Sequence, residues 1–243
     1  MKPAPRQEAA ADAGLARQLS AGLDALRLPL SAAVQARLLQ YLALLAKWNG
    51  VYNLTAIRDP EQMLRQHLLD SLAIVQPLVQ RAGGSPPARV FDVGSGGGLP
   101  GVVLAVVWPH SQVLLIEPVG KKAAFLRQCQ AELQLPNLSV AACRVEQLPA
   151  ASRLPVPDLI VCRAFASLAD FAIAIAPLIG PETLAAAMKG QRPDDEIAQL
   201  PAGWAPTETL ELQVPGLDAH RHLILLRQEA PADVPSGGPD LRA

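Results

Sequence analysis

Residues 91–101 read Phe91-Asp92-Val93-Gly94-Ser95-Gly96-Gly97-Gly98-Leu99-Pro100-Gly101, and their reading decides the fold. A short apolar run, Arg89–Val93, has the length and composition of a buried strand. It enters a glycine loop, Gly94–Gly98, and leaves through an apolar helical stretch, Leu99–Trp108. Glycine lets the chain turn sharply and lets a ligand approach without a Cβ in the way. The helix start behind the loop favours negative charge. The same alternation continues downstream. Val113–Ile116, Leu138–Ala142, Leu159–Cys162 and Leu184–Met188 read as strands, with Val119–Leu135 and Leu168–Leu178 as helices between them. Such alternation predicts an α/β, doubly wound parallel sheet. The end differs: Glu208–Val214 and His222–Arg227, joined across Pro215-Gly216-Leu217-Asp218, read as an antiparallel hairpin.

Two ligand classes use a loop of this kind. A literal G-x-G-x-x-G lies at Gly96, Gly98 and Gly101, so a dinucleotide such as NAD and an oxidoreductase reading have to be weighed. The register opposes it, because Gly94 occupies the place directly after the strand and the third fingerprint position counted from there is Leu99. Counted from the strand, the pattern is instead D-x-G-x-G-x-G, with Asp92 two residues before Gly94. This resembles the first motif of S-adenosylmethionine (SAM)-dependent methyltransferases. It implies a class I, Rossmann-like fold with a mostly parallel seven-stranded sheet flanked by helices. Asp92 suits the cationic end of SAM, and the loop amides of Gly94, Gly96 and Gly98 suit its carboxylate. Glu117 ends the next strand, where a carboxylate accepts hydrogen bonds from ribose hydroxyls; NAD would use it equally well.

Upstream the pattern is helical. Val34, Leu38, Leu42 and Leu45 fall at helical spacing until Trp48-Asn49-Gly50, which reads as a break. A second helix starts with Asp59 as cap, Pro60 in the first turn and Gln62 three residues after the cap. Its apolar stripe is Leu64, Leu68, Leu72, Val75 and Val79, and Pro77 predicts a kink or an end near Gln76. Gly83-Gly84-Ser85-Pro86-Pro87 reads as a linker. The expected organisation is a flexible leader over 1–18, an N-terminal helical cap over 19–84, a SAM-binding methyltransferase domain over 85–229 and a disordered tail over 230–243.

Further motifs extend the likeness. Asp92 to Gly101 is similar to the DVGTGPGLPG signature of the RsmG (GidB) family, the bacterial 16S rRNA guanine-N7 methyltransferases. Trp48-Asn49 with Asn53-Leu54-Thr55, and His67-Leu68-Leu69-Asp70-Ser71, resemble two further family segments. So do Gly120-Lys121-Lys122 with Phe125-Leu126, Arg144-Val145-Glu146, Arg163-Ala164-Phe165-Ala166-Ser167 and Lys189-Gly190. The resemblance spans about residues 30–229. It implies SAM contacts at Gly94, Leu99, Val145, Glu146 and Arg163, with Val145–Glu146 at the adenine edge. It also implies methylation of N7 of a guanine in the decoding region, guanine 527 in the standard rRNA numbering. Arg163 and Lys189 are the residues assigned to the acceptor side. The sequence departs from the family at Gly97, where proline is usual, at Cys162, where serine is common, and at Glu117, where aspartate is frequent.

Composition narrows the remaining classes. Half of the 243 residues are apolar and 18% are charged, which excludes a disordered chain. The net charge of -1 hides an asymmetry: residues 1–163 carry 16 Lys/Arg and 11 Asp/Glu, residues 164–243 carry 5 and 11. A positive face for RNA is therefore compatible with the near-neutral total. Lys47, Arg58, Lys121, Lys122, Arg127 and Arg144 form either that face or scattered solvated charges. Three cysteines without C-x-x-C spacing argue against a disulfide framework or zinc cluster. No metal is expected. With no apolar run of membrane length and no signal peptide, the sequence points to a soluble, cytoplasmic protein, expected to be a monomer, acting on 16S rRNA, a 30S subunit or an assembly intermediate. A SAM- or RNA-binding module without transfer activity is the non-enzymatic alternative. Cys162 reads as a buried strand residue more than a nucleophile. His67 and Asp70 read as a clamp between helix and domain more than a proton relay, and His220 and His222 as solvated surface more than metal ligands.

Overall fold

The computed structural model describes residues 5–148 and 154–228, with side chains from Asp12 onward. Seven strands form one sheet: β1 (Arg89–Val93), β2 (Gln112–Ile116), β3 (Leu138–Ala141), β4 (Leu159–Arg163), β5 (Leu184–Lys189), β6 (Trp204–Glu211) and β7 (His222–Gln228), in the order β3-β2-β1-β4-β5-β7-β6. β1 to β5 run parallel, while β7 pairs antiparallel with β5 and β6 antiparallel with β7. The order reverses between β1 and β4, so the carboxyl ends of these two strands open the crevice in which such sheets bind ligands. β6 starts four residues earlier than its composition indicates. Pro206 lies at a register shift on the edge of the sheet, where a missing N–H disturbs no second neighbour.

Helices α1 (Pro5–Ala25) and α2 (Ala32–Tyr52) are followed by α3, which runs Pro60–Met63, continues as a π-helical turn over Leu64–Leu69 and closes over Asp70–Leu72. Then come α4 (Val75–Arg81), α5 (Gly101–Val107), α6 (Gly120–Glu132), α7 (Leu168–Ile175) and α8 (Asp194–Ala198). The expected leader is helical from Pro5, and the residues that anchor this helix, Leu19 and Leu23, are fully buried. The expected tail over 230–243 lies outside the described residues. Trp48-Asn49-Gly50 does not end α2. Asn49 turns its amide onto the following loop, donating to the Ile57 carbonyl at 3.0 Å and accepting from Thr55 N–H at 2.8 Å, and Asn53 in the left-handed region ends the helix instead. The second break precedes Pro77: the chain turns at 73–74, which frees the carbonyl that the proline ring would strike, and Pro77 sits in the first turn of α4.

One hydrophobic core crosses the expected boundary at residue 84. Leu38, Tyr41, Leu45, Leu64, Leu68 and Leu72 of the cap share a continuous buried cluster with Val102, Val103 and Val106 of α5 and with Leu115 and Val161 of the sheet. The cap therefore packs as a layer over α5 and α6. On the opposite face, Phe91, Val93, Ile160 and Cys162 pack under α7.

Helix α5 lies unusually near the sheet because Gly101 lacks a side chain. A Cβ there would overlap Leu115 and the Asp92 carboxylate, and would stand 2.8 Å from Asp92 Cβ. Gly101→Ala is expected to destabilise the protein by about 1–3 kcal/mol, the usual cost of overpacking a tight core. Urea denaturation checks this; an unchanged midpoint would mean that α5 shifts away freely.

Candidate cofactor and acceptor site

The glycine loop is held from three sides. Gly94, Gly96 and Gly98 take φ of 71°, 57° and 87°, values open to glycine and strained for other residues. From the sheet, the Ile116 carbonyl accepts from Gly94 N–H at 2.9 Å and Ser95 N–H at 3.2 Å. From within the loop, Ser95 Oγ donates to the Asp92 carbonyl at 2.8 Å. From the cap, Tyr41 donates its hydroxyl to the Gly97 carbonyl at 2.6 Å. Burial holds the Tyr41 phenol well above its usual pKa, so it remains a donor. Tyr41 was not legible as a site residue, because it sits within the apolar stripe of α2. Gly97 faces Leu45, with 3.2 Å between that side chain and a notional Cβ, so this glycine is braced by the cap.

The two acids divide their work. Asp92 is fully buried beneath the loop. Its Oδ2 accepts from Gly101 N–H at 2.9 Å, and its Oδ1 is buried without a partner. Burial pushes its carboxyl up to about 7. Asp92 therefore shapes the loop and the start of α5 from below. Glu117, at the carboxyl end of β2, accepts from Gly96 N–H and Val119 N–H, each at 2.8 Å. A carboxylate has about four acceptor sites, so two remain for ribose hydroxyls. Leu99 is buried in the core, following the loop through a cis peptide bond to Pro100. Val145 is buried, and Glu146 is exposed on the turn after β3 with its carboxylate 3.7 Å from Arg144. A side-chain-free cradle, a carboxylate at the end of β2 and an orphaned acceptor below the loop fit an aminoacyl nucleoside carrying positive charge.

The other half of the crevice is a cavity of ≈ 370 Å³ bordered by Gln66, His67, Asp70, Arg163, Lys189 and Arg221. Arg163 ends β4, and the next residue, Ala164, takes φ of 57°, an uncommon conformation for a side chain with a Cβ. Arg163 donates to the Gln66 carbonyl at 3.1 Å and to Asp70 Oδ2 at 3.2 Å. Asp70 Oδ1 accepts from Arg221 Nε at 3.0 Å. Burial raises the Asp70 carboxyl, and the two guanidinium groups oppose that rise. The π-turn presents the Gln66 carbonyl, and Asp70 directly after it presents its carboxylate, to Arg163 at the end of β4. His67 Nδ1 lies 3.1 Å from the Gln66 carbonyl and Nε2 2.8 Å from Thr55 Oγ1. A carbonyl only accepts, so the proton sits on Nδ1 and Nε2 accepts from Thr55. Burial and the nearby Arg163 lower His67 to about 4, which leaves it neutral. Asp70 thus clamps the helix to the sheet through Arg163 and Arg221, whereas His67 bonds only within the cap, to Gln66 and Thr55. Lys189 donates to both Glu196 oxygens at 3.0 and 2.7 Å from the end of β5. Arg163 and Lys189 reach one cavity, while the loop, Glu117 and Val145 stand beside it.

Other side chains are accounted for. Cys162 is buried and its thiol is pushed far up, so it offers no thiolate for attack. His220 is exposed beside Glu211, but His222 is buried, its Nδ1 3.0 Å from the Gly190 carbonyl, because its strand pairs with β5. The solvated reading therefore holds for His220 alone. Among the described residues no group of three His, Cys, Asp or Glu is arranged to hold a metal ion, and no helix is long and apolar enough to cross a membrane.

Sheet order, helical flanks and the D-x-G-x-G-x-G loop define a class I SAM-dependent methyltransferase fold. The N-methyltransferase NodS from Bradyrhizobium japonicum, solved with S-adenosyl-L-homocysteine, shares it with a TM-score of 0.53 at 16% identity, over 76% of this chain and 100% of that one. TrmN from Thermus thermophilus matches with a TM-score of 0.50 at 20% identity, over 68% and 53% of the two chains. Residues 34–224 match the family model described as rRNA small subunit methyltransferase G. Relatives of that name are 55% identical in Burkholderia lata, over 87% of this chain and 91% of the relative, and 56% identical in Burkholderia multivorans, over 86% and 91%. The chain belongs to the rRNA small subunit methyltransferase G family.

The raised Asp92 pKa has a measurable consequence. Its folded value of about 7 exceeds an unfolded carboxyl's ~4, so the fold favours the protonated form. The stability this group contributes is complete below pH ~4 and is lost as pH rises towards 7. Without cofactor, the parent is expected to lose up to ~4 kcal/mol over that window relative to Asp92→Asn. Denaturation curves at several pH values measure the difference; parallel profiles would refute it.

Proposed function

We propose that this protein transfers a methyl group from SAM to N7 of a guanine in the decoding region of 16S rRNA, guanine 527 in the standard numbering, and does so in the cytoplasm. SAM-dependent methylation of small-subunit rRNA is the activity of this family; the atom, the position and the residue roles are our reading. One observation carries it: the acceptor cavity is rich in donors and, among the described residues, holds no free proton acceptor suited to act as a base. His67 is neutral with both ring nitrogens engaged, Asp70 is bound by two arginines, and Glu196 outside the cavity is bound by Lys189. Guanine N7 needs no base, since its lone pair is already free at neutral pH.

When bound, SAM supplies a methyl group on a positively charged sulfur. Gly94, Gly96, Gly98, Leu99, Glu117, Val145 and Glu146 form the holding surface, with Asp92 and Tyr41 fixing the loop beneath and beside it. Arg163 and Lys189 present N–H donors to the acceptor. Donation to guanine O6, the neighbouring acceptor on that base edge, leaves the N7 lone pair directed at the methyl group. Catalysis is then alignment and exclusion of water from the crevice. We assign residues 19–84 to the cap and 85–229 to the SAM-binding part, with Tyr41, Gln66 and Asp70 of the cap completing the site.

The test is nucleoside mass spectrometry of 16S rRNA after incubation of 30S particles, or of rRNA, with the protein and SAM. One methyl group on guanine N7 at a single position is expected. Cofactor binding without any transfer would instead favour a binding module. Arg163→Lys keeps the charge but removes the planar guanidinium whose Nη1 donates to both Asp70 and Gln66. It is expected to lower kcat/KM by about 100-fold, the scale of a 1 Å misplacement, with SAM affinity changed far less. Equal losses in both would place Arg163 on the cofactor instead.

A further inference from the structure

Helices α2 and α6 pack antiparallel. Gln40 near the middle of α2 donates to the Glu132 carbonyl at the end of α6 at 3.2 Å, and Trp48, two turns on, meets Phe125 with ring centroids 5.5 Å apart. One turn further along each helix, this register brings Tyr52 towards Lys121 and Lys122. The Tyr52 ring leans on Trp48 at 5.2 Å and remains 38% exposed. Val51, next to Tyr52 in α2, and Val119, at the start of α6, are 72% and 40% exposed. Lys47, Arg58 and Lys121 are exposed and Lys122 half-buried. Among the described residues, no carboxylate makes an ion pair with any of these four cations. Two acids nearby in sequence are engaged elsewhere: Glu117 accepts two backbone N–H groups, and Asp59 caps the N-terminus of α3. Val119 N–H, bound to Glu117, ties the start of α6 to the glycine loop.

We infer that this junction is the docking surface for an unpaired RNA strand leading into the acceptor cavity. Lys47, Lys121, Lys122 and Arg58 track its phosphates, and Tyr52, backed by Trp48, stacks one of its bases. The inference rests on the rRNA substrate proposed above. The chemistry favours RNA over a protein partner, because cations without carboxylate partners (Arg58 donates only to the neutral Asn53 Oδ1 at 3.0 Å) around an exposed aromatic ring match a polyanion with stackable bases. Aspartates and glutamates on a protein would meet the cations but leave the ring without a stacking partner.

The experiment compares the parent with a triple variant, Lys47→Gln, Lys121→Gln and Lys122→Gln, and with Tyr52→Ala and Tyr52→Phe. Affinity for protein-free 16S rRNA and for 30S particles is measured against salt concentration, alongside SAM affinity. The triple variant is expected to bind RNA at least ~10-fold more weakly and to lose about 2 from the slope of log K against log salt, since each phosphate contact contributes ~0.7 on a single strand. Tyr52→Ala should weaken binding several-fold and Tyr52→Phe should restore it, with SAM affinity unchanged throughout. An unchanged salt slope in the triple variant overturns the assignment, as does a loss of SAM binding. Weakened binding to particles with normal affinity for protein-free rRNA also overturns it, assigning the face to a ribosomal protein. RNA binding is read directly, so this result stands whether or not methyl transfer is seen; failed transfer by an RNA-binding parent would count against the proposed activity alone.

Discussion

The hydrogen bond from Gly101 N–H to the buried Asp92 carboxylate ties together the parts on which the site depends. It joins the end of β1 to the first turn of α5, and it forms only because residue 101 has no Cβ to hold the two apart. With α5 drawn in, the loop between them closes tightly enough for Ser95 to accept from Gly98 and Leu99. The cap then packs on α5 and reaches the loop through Tyr41. Burying a carboxylate in this way costs free energy, visible in the raised pKa of Asp92, and the single amide partner offsets only part of it.

Much of the sheet could be read from the sequence because short apolar runs alternate with helices and glycine marks the turn between β1 and α5. The central strands fall within a residue or two of where composition puts them. The misjudged boundaries have local causes. Asn49 resembles a helix breaker but spends its side chain on the next loop, and Pro206 resembles a strand breaker but lies at a bulge on an edge. The site was legible where a backbone constraint forces a residue type, as at Gly94, Gly96 and Gly98. It was less legible where tertiary contact alone gives a residue its part. Tyr41 and Gln66 act through a hydroxyl and a main-chain carbonyl, and neither leaves a pattern in the sequence. Asp92 was recognisable, yet its position beneath the loop is a matter of packing that the motif does not convey.

The cap is usually the easiest part of such a molecule to regard as an appendage. Here it closes one wall of the crevice. In the π-turn of α3 the Asp70 N–H bonds to the Arg65 carbonyl rather than to the Gln66 carbonyl that an α-helical turn would engage, which leaves the Gln66 carbonyl open to Arg163, the same guanidinium that the Asp70 carboxylate binds. Turns of this type are often found at functional sites. The side chains that hold the cap to the sheet therefore also line the cavity beside the glycine loop.

Asp70 binds Arg163 and Arg221, partners 93 and 151 residues further along the chain. The glycine loop, by contrast, is assembled within residues 41–117. During synthesis the cofactor half has all its partners long before Arg221 leaves the ribosome, while the acceptor half waits for the C-terminal hairpin to join the sheet. The order of emergence therefore separates the two halves: the loop's hydrogen-bond partners are all synthesised by residue 117, whereas the wall around Asp70 closes only when the hairpin that carries Arg221 joins the sheet.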